Sequence, residues 1–213
     1  MKTVSIVDYG MGNLLSVSRA VEHCGAEPVL VSSSVDIEKA HWLILPGVGA
    51  FADGMAGLRA LSLVEPLRRH AASQKPLLGI CLGMQMMMDW SVEFGRHDGL
   101  GIIAGGVVPV PPLDQSGTPH KVPLIGWSGL DLPNSRNNWD GTILRDIMPG
   151  AATYFVHSFM AVPDVPGDRL AETDYGGVKI CATISRGQVS GCQFHPEKSG
   201  DVGLSILKAF IEN

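Results

Sequence analysis

A cysteine between two glycines is the residue of this sequence best suited to act as a nucleophile. Cys81 lies in the segment Gly79-Ile-Cys-Leu-Gly83, the cysteine form of the G-x-S-x-G turn that exposes a nucleophile between a strand and a helix. Glycines at both flanking positions remove side chains that would clash in so sharp a turn. The apolar pair at 77–78 predicts a buried strand before the turn, and residues 84–88 are good helix formers after it.

The predicted position of Cys81 favours its reactive form. A helix N-terminus carries partial positive charge and free N–H groups, and these stabilise a thiolate, which is the nucleophilic state of cysteine. The alternative interpretation is a buried, inert cysteine that only fills the core. The two flanking glycines favour the nucleophile.

A base and its orienting carboxylate are predicted near the end of the chain. His195 and Glu197 are two residues apart, and Pro196 favours extended backbone at His195, where residues i and i+2 project to one side. A carboxylate there fixes the imidazole tautomer and stabilises the imidazolium. The alternative is a surface histidine with an acid nearby. His157 is the rival base, but it has no acid within two positions.

The elements that must position these groups follow from apolar runs and the turn residues between them. The first half predicts strands alternating with helices, and therefore a parallel sheet with helices on both faces. Asn13 is a predicted N-cap for the first helix, and a second helix is expected between residues 53 and 71 with a break before Pro66. Strands are predicted at 3–7, 28–31, 41–45, 77–78, 107–108, 154–156, 179–184 and 188–192, and a closing helix at 201–211.

Composition and charge exclude several classes of protein and kinds of site. The 213 residues suffice for a single α/β domain over residues 1–213, and the net charge of −5 argues against a nucleic-acid binder. The four cysteines show no C-x-x-C spacing, so neither a zinc site nor a redox pair is indicated. No signal peptide and no apolar stretch of about 20 residues is evident, and we expect a cytoplasmic protein. Gly10-Met-Gly12 lacks the third glycine of a dinucleotide fingerprint, because Leu15 stands there.

Four motifs, in order, carry a family resemblance. The segments 79–85 and 193–199 resemble the nucleophile and base segments of class I (triad) glutamine amidotransferases. The segments Asp8-Tyr-Gly-Met-Gly-Asn13 and Pro46-Gly-Val-Gly-Ala-Phe51 are similar to those of glutaminase subunits of imidazole glycerol phosphate synthases. The resemblance runs from Ile6 to Ser199, nearly the whole chain. It implies a three-layer α/β/α sandwich with a mixed, mostly parallel central sheet.

The resemblance also implies site roles, residue by residue. Cys81, His195 and Glu197 are implied to form a catalytic triad. The oxyanion hole is implied at the Leu82 N–H, as the residue after the nucleophile, and at Gly47, Val48 and Gly49. Gln85, one helical turn after Cys81, is implied to bind glutamine together with the segment His157-Ser158. Asp8, Tyr9, Asn13 and Trp127 are implied to face a partner protein. For Gln85 alone, an ordinary surface helix residue is the alternative, and for residues 46–49 a simple tight turn.

The implied activity is hydrolysis of glutamine to glutamate and ammonia, with no metal or organic cofactor. Because ammonia would be lost in bulk water, a partner is expected to receive it directly. By resemblance this partner is a (βα)₈-barrel cyclase of histidine biosynthesis, forming a heterodimer with this chain. The alternatives are a paralogue that feeds a related synthase, for example for sugar amidation, a non-catalytic binding subunit, or a thiol hydrolase that acts alone.

Three residues depart from the pattern of the family. Leu124, Ser128 and Phe159 stand where the family usually has His, Asn and Tyr. All three lie in segments that are expected, by resemblance, at or near the partner surface. We expect them to affect the coupling to the partner and to leave the glutaminase chemistry intact.

Overall fold

The computed structural model describes all 213 residues, Met1–Asn213. The strands, in chain order, are β1 (Thr3–Val7), β2 (Glu27–Val31), β3 (Trp42–Leu45), β4 (Leu77–Ile80), β5 (Met88–Ser91), β6 (His97–Asp98), β7 (Ile103–Pro109), β8 (Leu124–Gly129), β9 (Ala152–His157), β10 (Phe159–Pro163), β11 (Arg169–Tyr175), β12 (Val178–Arg186) and β13 (Val189–Cys192). The helices are α1 (Leu14–His23), α2 (Ser34–Lys39), α3 (Phe51–Ala60), α4 (Val64–Ala72), α5 (Leu82–Met86) and α6 (Gly200–Glu212). No helix has the length and apolar character needed to cross a membrane.

Seven strands form a central sheet in the order β11-β12-β13-β4-β3-β1-β2. The pairs from β13 to β2 are all parallel. The two pairs at the other edge, β11–β12 and β12–β13, are antiparallel. Parallel neighbours need crossover connections, which the helices supply. The prediction of a mixed, mostly parallel α/β sheet is confirmed.

Both faces of the central sheet are buried, each under its own helices. On one face Val4, Ile6 and Ile44 pack in a cluster with side chains from α1 and α6. On the other face Leu43 and Leu45 pack in a cluster with side chains from α2, α3, α4 and α5. Successive strand residues point to opposite faces, and this explains why β1 and β3 are almost continuously apolar.

The strand order brings three chain segments to one edge of the sheet. The strands β3, β4 and β13 are adjacent and parallel, so their carboxyl ends lie side by side. The segment after β3 begins at Pro46, the one after β4 begins at Cys81, and the one after β13 leads to His195. Ligands of open α/β sheets bind beyond this edge.

Two smaller sheets complete the molecule. Four strands pair in the order β10-β7-β5-β6, and β8 pairs with β9 in a separate antiparallel ribbon. In this ribbon Ile125 lies opposite Val156, and Trp127 lies opposite Tyr154. The ribbon ends at His157, so it belongs to the same end of the molecule as the carboxyl edge of the central sheet.

The predicted break in the helical segment between 53 and 71 is confirmed, since α3 and α4 are separated at 61–63. Pro66 therefore sits in the first turn of α4, where its missing N–H breaks no helical bond. Other local predictions need correction. Helix α5 ends at Met86, and Met88 already begins β5. The elements α2, β5, β6, β8, β10 and β11 were not predicted, since they lack a clear apolar pattern.

Candidate active site

Cys81 occupies a strained turn between β4 and α5. Its φ of +53° lies in the left-handed region, which residues other than glycine rarely adopt. A β-carbon at Gly83 would overlap the carbonyl group of Leu45, and one at Gly79 would come within 2.7 Å of the Met84 nitrogen. The predicted glycine requirement of this turn therefore agrees with the close backbone contacts on both sides of it.

His195 and Glu197 meet behind the nucleophile. The Nδ1–H of His195 donates to Oε1 of Glu197 over 2.8 Å, and both side chains are almost fully buried. The backbone at His195 is extended, as predicted. The following residues Pro196–Lys198 form a 3₁₀ turn, which was not predicted and which contains Glu197. The His195 backbone is held by Tyr154 and Ser199, since its N–H donates to Tyr154 O and its carbonyl accepts from Ser199 Oγ.

Electrostatics favour a protonated imidazole at His195. Burial alone would lower its pKa, but hydrogen bonds to the Cys81 and Glu197 side chains, together with their charges, outweigh burial and raise the pKa to about 9. An imidazolium at neutral pH is the partner that a thiolate at Cys81 requires. The pair can therefore form a nucleophile and a proton donor in one place.

His157, the rival base, is neutral in this environment. Burial lowers its pKa to about 4, with the charge of His195 as a minor contribution in the same direction, and its hydrogen bond to Phe159 only partly opposes this. Its Nδ1–H donates to the carbonyl of Phe159 over 2.8 Å. Its Nε2 has no hydrogen-bond partner. His157 lacks the carboxylate partner that His195 has.

A cavity of about 330 Å³ opens in front of these groups, within the range of small-molecule sites. It brings together most of the residues predicted for the site. Among its lining residues are Val48, Gly49, Cys81, Leu82, Gln85, His157, Ser158 and His195. Glu197 lies outside this lining, behind His195. Gly47 also lies outside it, because it packs against Leu82 and Gly83.

The loop after β3 packs directly on the nucleophile turn. A β-carbon at Gly47 would approach both the Gly83 nitrogen and the Leu82 side chain at 2.9 Å. The hydroxyl of Tyr9 donates to the carbonyl of Pro46 over 2.8 Å and holds the start of this loop. The loop and the first turn of α5 are thus in direct contact beside the cavity.

Two polar residues of the site were not predicted. Gln193 is fully buried, and its Nε2 lies 3.8 Å from Sγ of Cys81. Glu93 lines the cavity, and its Oε2 accepts the N–H of Phe51 over 2.7 Å. Gln193 could have been found from the sequence, since it stands two residues before His195 in the same motif. No sequence signal identifies Glu93.

The residues predicted to face a partner differ in their placement. Trp127 is 60% exposed, whereas Tyr9 is only 4% exposed, and its side chain points into the protein. The assignment of both residues to a partner interface stays a prediction. Asp8 is half-buried and accepts the N–H of Gly10. Asn13 caps α1, with its Oδ1 accepting the N–H of Ser16.

The three residues that depart from the family pattern also differ in their placement. The side chain of Leu124 is buried in the core, although its neighbour Ile125 is exposed. Ser128 bonds internally to the Thr173 hydroxyl over 2.6 Å. Phe159 lies on the cavity wall, where its backbone carbonyl, rather than a side-chain hydroxyl, makes the polar contacts.

Comparison with known proteins gives a consistent result. Residues 5–213 match the family model "Glutamine amidotransferase class-I". The chain is 54% identical to "Imidazole glycerol phosphate synthase subunit HisH 1" of Legionella pneumophila (strain Lens), with 100% of both chains covered. It is 44% identical to subunit HisH of Geobacillus kaustophilus, with 98% of this chain and 95% of the relative covered.

Solved structures share the fold at lower identity. "Structure of PurLQS from Thermotoga maritima" superposes with a TM-score of 0.73 at 20% identity, covering 99% of this chain and 98% of that one. "Crystal structure of glutamine amidotransferase" gives a TM-score of 0.71 at 18% identity, covering 97% and 98%. These likenesses support the three-layer architecture.

Proposed function

The chain belongs to the class-I glutamine amidotransferase family, and from this premise we propose that it is the glutaminase subunit of an imidazole glycerol phosphate synthase in histidine biosynthesis. The observation that carries the proposal is that Cys81 and His195 line a cavity of small-molecule size, with Glu197 hydrogen-bonded to His195 from behind. The names of the relatives support the pathway. They do not favour the alternative of an ammonia donor for sugar amidation.

We propose that glutamine enters with its side-chain amide toward Cys81. The cavity offers one carboxylate on its open wall, that of Glu93, and this suits the substrate α-ammonium group. Gln85 presents a further acceptor, because its Nε2 is already used in bonds to Phe159 and Gln193. The α-carboxylate is assigned to the backbone around His157 and Ser158, as the family resemblance implies.

The reaction then follows from the geometry. The thiolate of Cys81 attacks the amide carbon, and the oxyanion is assigned to the N–H of Leu82 and to the loop Gly47, Val48 and Gly49. The imidazolium of His195 gives its proton to the leaving nitrogen, and ammonia departs from a glutamyl thioester. Water, losing a proton to His195, attacks the thioester, releases glutamate and restores the thiol. Glu197 keeps the imidazole oriented throughout.

The partner is proposed to be a (βα)₈-barrel cyclase that forms a heterodimer with this chain and receives the ammonia. Exposed apolar side chains of the β8–β9 ribbon and of the loop after β3 surround the cavity, which supports a protein cover at this end. The chain contributes no second active site that could use ammonia. We place the complex in the cytoplasm, where a catalytic thiol stays reduced.

A two-part assay tests the proposal. Glutamate release is measured with the chain alone, then with its cognate cyclase and the cyclase substrate, and we expect slow hydrolysis alone and marked acceleration in the complex. Growth of a strain lacking the histidine-pathway glutaminase, with the cognate cyclase co-expressed, tests the pathway. Failure to restore growth while glutaminase activity persists would reassign the chain to another synthase, and absence of hydrolysis in every condition would refute the enzyme assignment.

A further inference from the structure

A continuous chain of buried hydrogen bonds connects the nucleophile to the far wall of the cavity. Nε2 of Gln193 lies 3.8 Å from Sγ of Cys81, and Oε1 of Gln193 accepts from Nε2 of Gln85 over 3.0 Å. Nε2 of Gln85 also donates to the carbonyl of Phe159 over 2.9 Å. The same carbonyl accepts from Nδ1 of His157 over 2.8 Å. Four side chains are thus coupled through one backbone carbonyl.

The direction of every bond in this chain is fixed by that carbonyl. A carbonyl oxygen can only accept, so Gln85 must turn its NH₂ end toward Phe159. Its second N–H then donates to Gln193, so the acceptor must be the side-chain oxygen of Gln193. The NH₂ end of Gln193 is therefore left facing Sγ of Cys81. Reversing either amide would place two donors or two acceptors against each other in a buried site.

From this geometry we propose that Gln193 is a further catalytic residue, one that donates to the Cys81 thiolate and locks Gln85 with its oxygen toward the substrate. The proposal rests on the proposed function for its second half only, because donation to the sulfur concerns the free chain. An N–H group aimed at sulfur stabilises the thiolate over the thiol. The same side chain thus links activation of the nucleophile to recognition of glutamine.

The full burial of Gln193 explains why its effect should be large enough to measure. A buried donor facing a charged acceptor forms a stronger bond than a solvated one, since no water competes for the Gln193 amide. A purely structural role would require only that its amide be satisfied within the protein. The two roles differ in one observable, the pH at which Cys81 becomes a thiolate.

The test measures alkylation of Cys81 by iodoacetamide as a function of pH, in the chain alone, with the modified peptide quantified by mass spectrometry. Only thiolate reacts at an appreciable rate. For Gln193→Met we expect the midpoint of the profile to move up by about one pH unit, which is roughly a tenfold loss of reactivity below it. Gln193→Glu keeps an acceptor for Gln85 but places a carboxylate near the sulfur, so its midpoint should move further.

Controls separate the effect from misfolding. Gln188→Met, at the exposed turn before β13, should leave the Cys81 profile unchanged. Cys24 is half-buried, donates to the carbonyl of Leu204 and has no hydrogen bond to the residues of the cavity, so it serves in each sample as an internal reference thiol. If Gln193→Met fails to fold by circular dichroism, Gln85→Met provides a second variant, with a smaller shift expected in the same direction because Gln193 loses the donor that orients it.

Unchanged midpoints in folded Gln193→Met and Gln85→Met would overturn the proposal. The outcome is independent of glutaminase activity, because iodoacetamide requires neither glutamine nor a partner. In the complex, Gln193→Met should in addition raise KM for glutamine and lower kcat, whereas loss of thiolate alone would lower kcat with KM unchanged. A lowered kcat with unchanged KM would refute the second half of the proposal, in which Gln193 orients Gln85 toward the substrate.

Discussion

The two walls of the cavity are built in opposite ways. On the sheet wall, Cys81, Gln193 and His195 are buried and tied to one another or to neighbouring groups by hydrogen bonds. On the rim, Ile125 is 62% exposed and Trp127 is 60% exposed, with their apolar side chains uncovered. The sheet wall is complete within one chain. The rim is left open in a way that a second protein would close.

This contrast divides the reaction into two parts. The groups that attack, protonate and orient are fixed by the adjacent carboxyl ends of β4 and β13. The exposed apolar side chains of the rim are the groups that we propose the partner covers. We therefore expect substitutions on the sheet wall to abolish chemistry with the partner still bound, and substitutions on the rim to weaken the complex with the nucleophile still reactive.

The largest effect is expected for Cys81→Ala. Without the thiol no thioester can form, so glutamine hydrolysis in the complex should fall by about a thousandfold or more. Synthesis by the complex from added ammonium salt should continue, because that step uses the partner's site. Cys24→Ala is the matched control and should keep both activities. Hydrolysis above about a hundredth of the wild-type rate in Cys81→Ala would contradict the assignment of the nucleophile.

The next effect is expected for Glu197→Gln. This change replaces the carboxylate that holds Nδ1–H of His195, so the imidazole loses both its fixed tautomer and its charge partner. Steady-state kinetics of the complex should show a loss in kcat of about a hundredfold to ten-thousandfold, with partner affinity unchanged by titration. A variant with near-normal kcat would show that His195 does not depend on Glu197.

The same variant tests the charge on His195. A folded-state pKa raised from 6.5 to about 9 stabilises the fold fully below pH 6.5, and this contribution is lost as the pH rises through about 9. The melting temperature of the wild-type chain should therefore fall between pH 6.5 and 9. Glu197→Gln, which removes one cause of the raised pKa, should show a smaller fall over that range.

The two walls also differ in how well the sequence predicts them. The nucleophile turn depends on residues within five positions of Cys81, and the base with its carboxylate lies within three positions, so both patterns are local. Gln193 and Gln85 are 108 positions apart, and their contact depends on the order of strands in the sheet. Long-range contacts of this kind leave no periodicity in the sequence.

The burial of two residues near the rim could not be predicted from the sequence, for a physical reason. Tyr9 stands in a glycine-rich loop, yet its ring turns inward beneath the loop after β3. No local sequence pattern predicts this orientation of the side chain. Leu124 begins the β8–β9 ribbon, where alternation sends it to the core and sends Ile125 outward. Assigning faces required the pairing register of the ribbon, which the sequence alone does not specify.

A substitution at the rim should have the opposite effect to the sheet-wall variants: it should weaken binding of the partner and leave the nucleophile reactive. Trp127→Ala removes a large exposed ring from the β8–β9 ribbon, and aromatic residues often dominate protein interfaces. The Kd for the cognate cyclase should rise about tenfold to a hundredfold by calorimetric titration, while alkylation of Cys81 in the free chain stays unchanged. Leu61→Ala is the control, since this half-exposed leucine ends α3 at the opposite edge of the sheet. Equal affinity in Trp127→Ala and wild type would place the interface elsewhere.

The smallest effect should come from Tyr9, which connects the two regions. Its hydroxyl holds the Pro46 carbonyl at 2.8 Å, and a β-carbon at Gly49 would lie 2.9 Å from the Met11 side chain, so the surface loop after β1 packs on the loop proposed to hold the oxyanion. Tyr9→Phe deletes this one hydrogen bond and leaves the ring in place. Because a buried hydrogen bond contributes about 0.5–1.5 kcal/mol, the glutaminase rate in the complex should fall by roughly twofold to tenfold, as the loop samples more orientations. Alkylation of Cys81 and affinity for the cyclase should stay as in wild type. A wild-type rate in the complex would mean that the loop is positioned without Tyr9, and an equal loss in the free chain would mean that Tyr9 supports the nucleophile turn and has no part in communication with the partner.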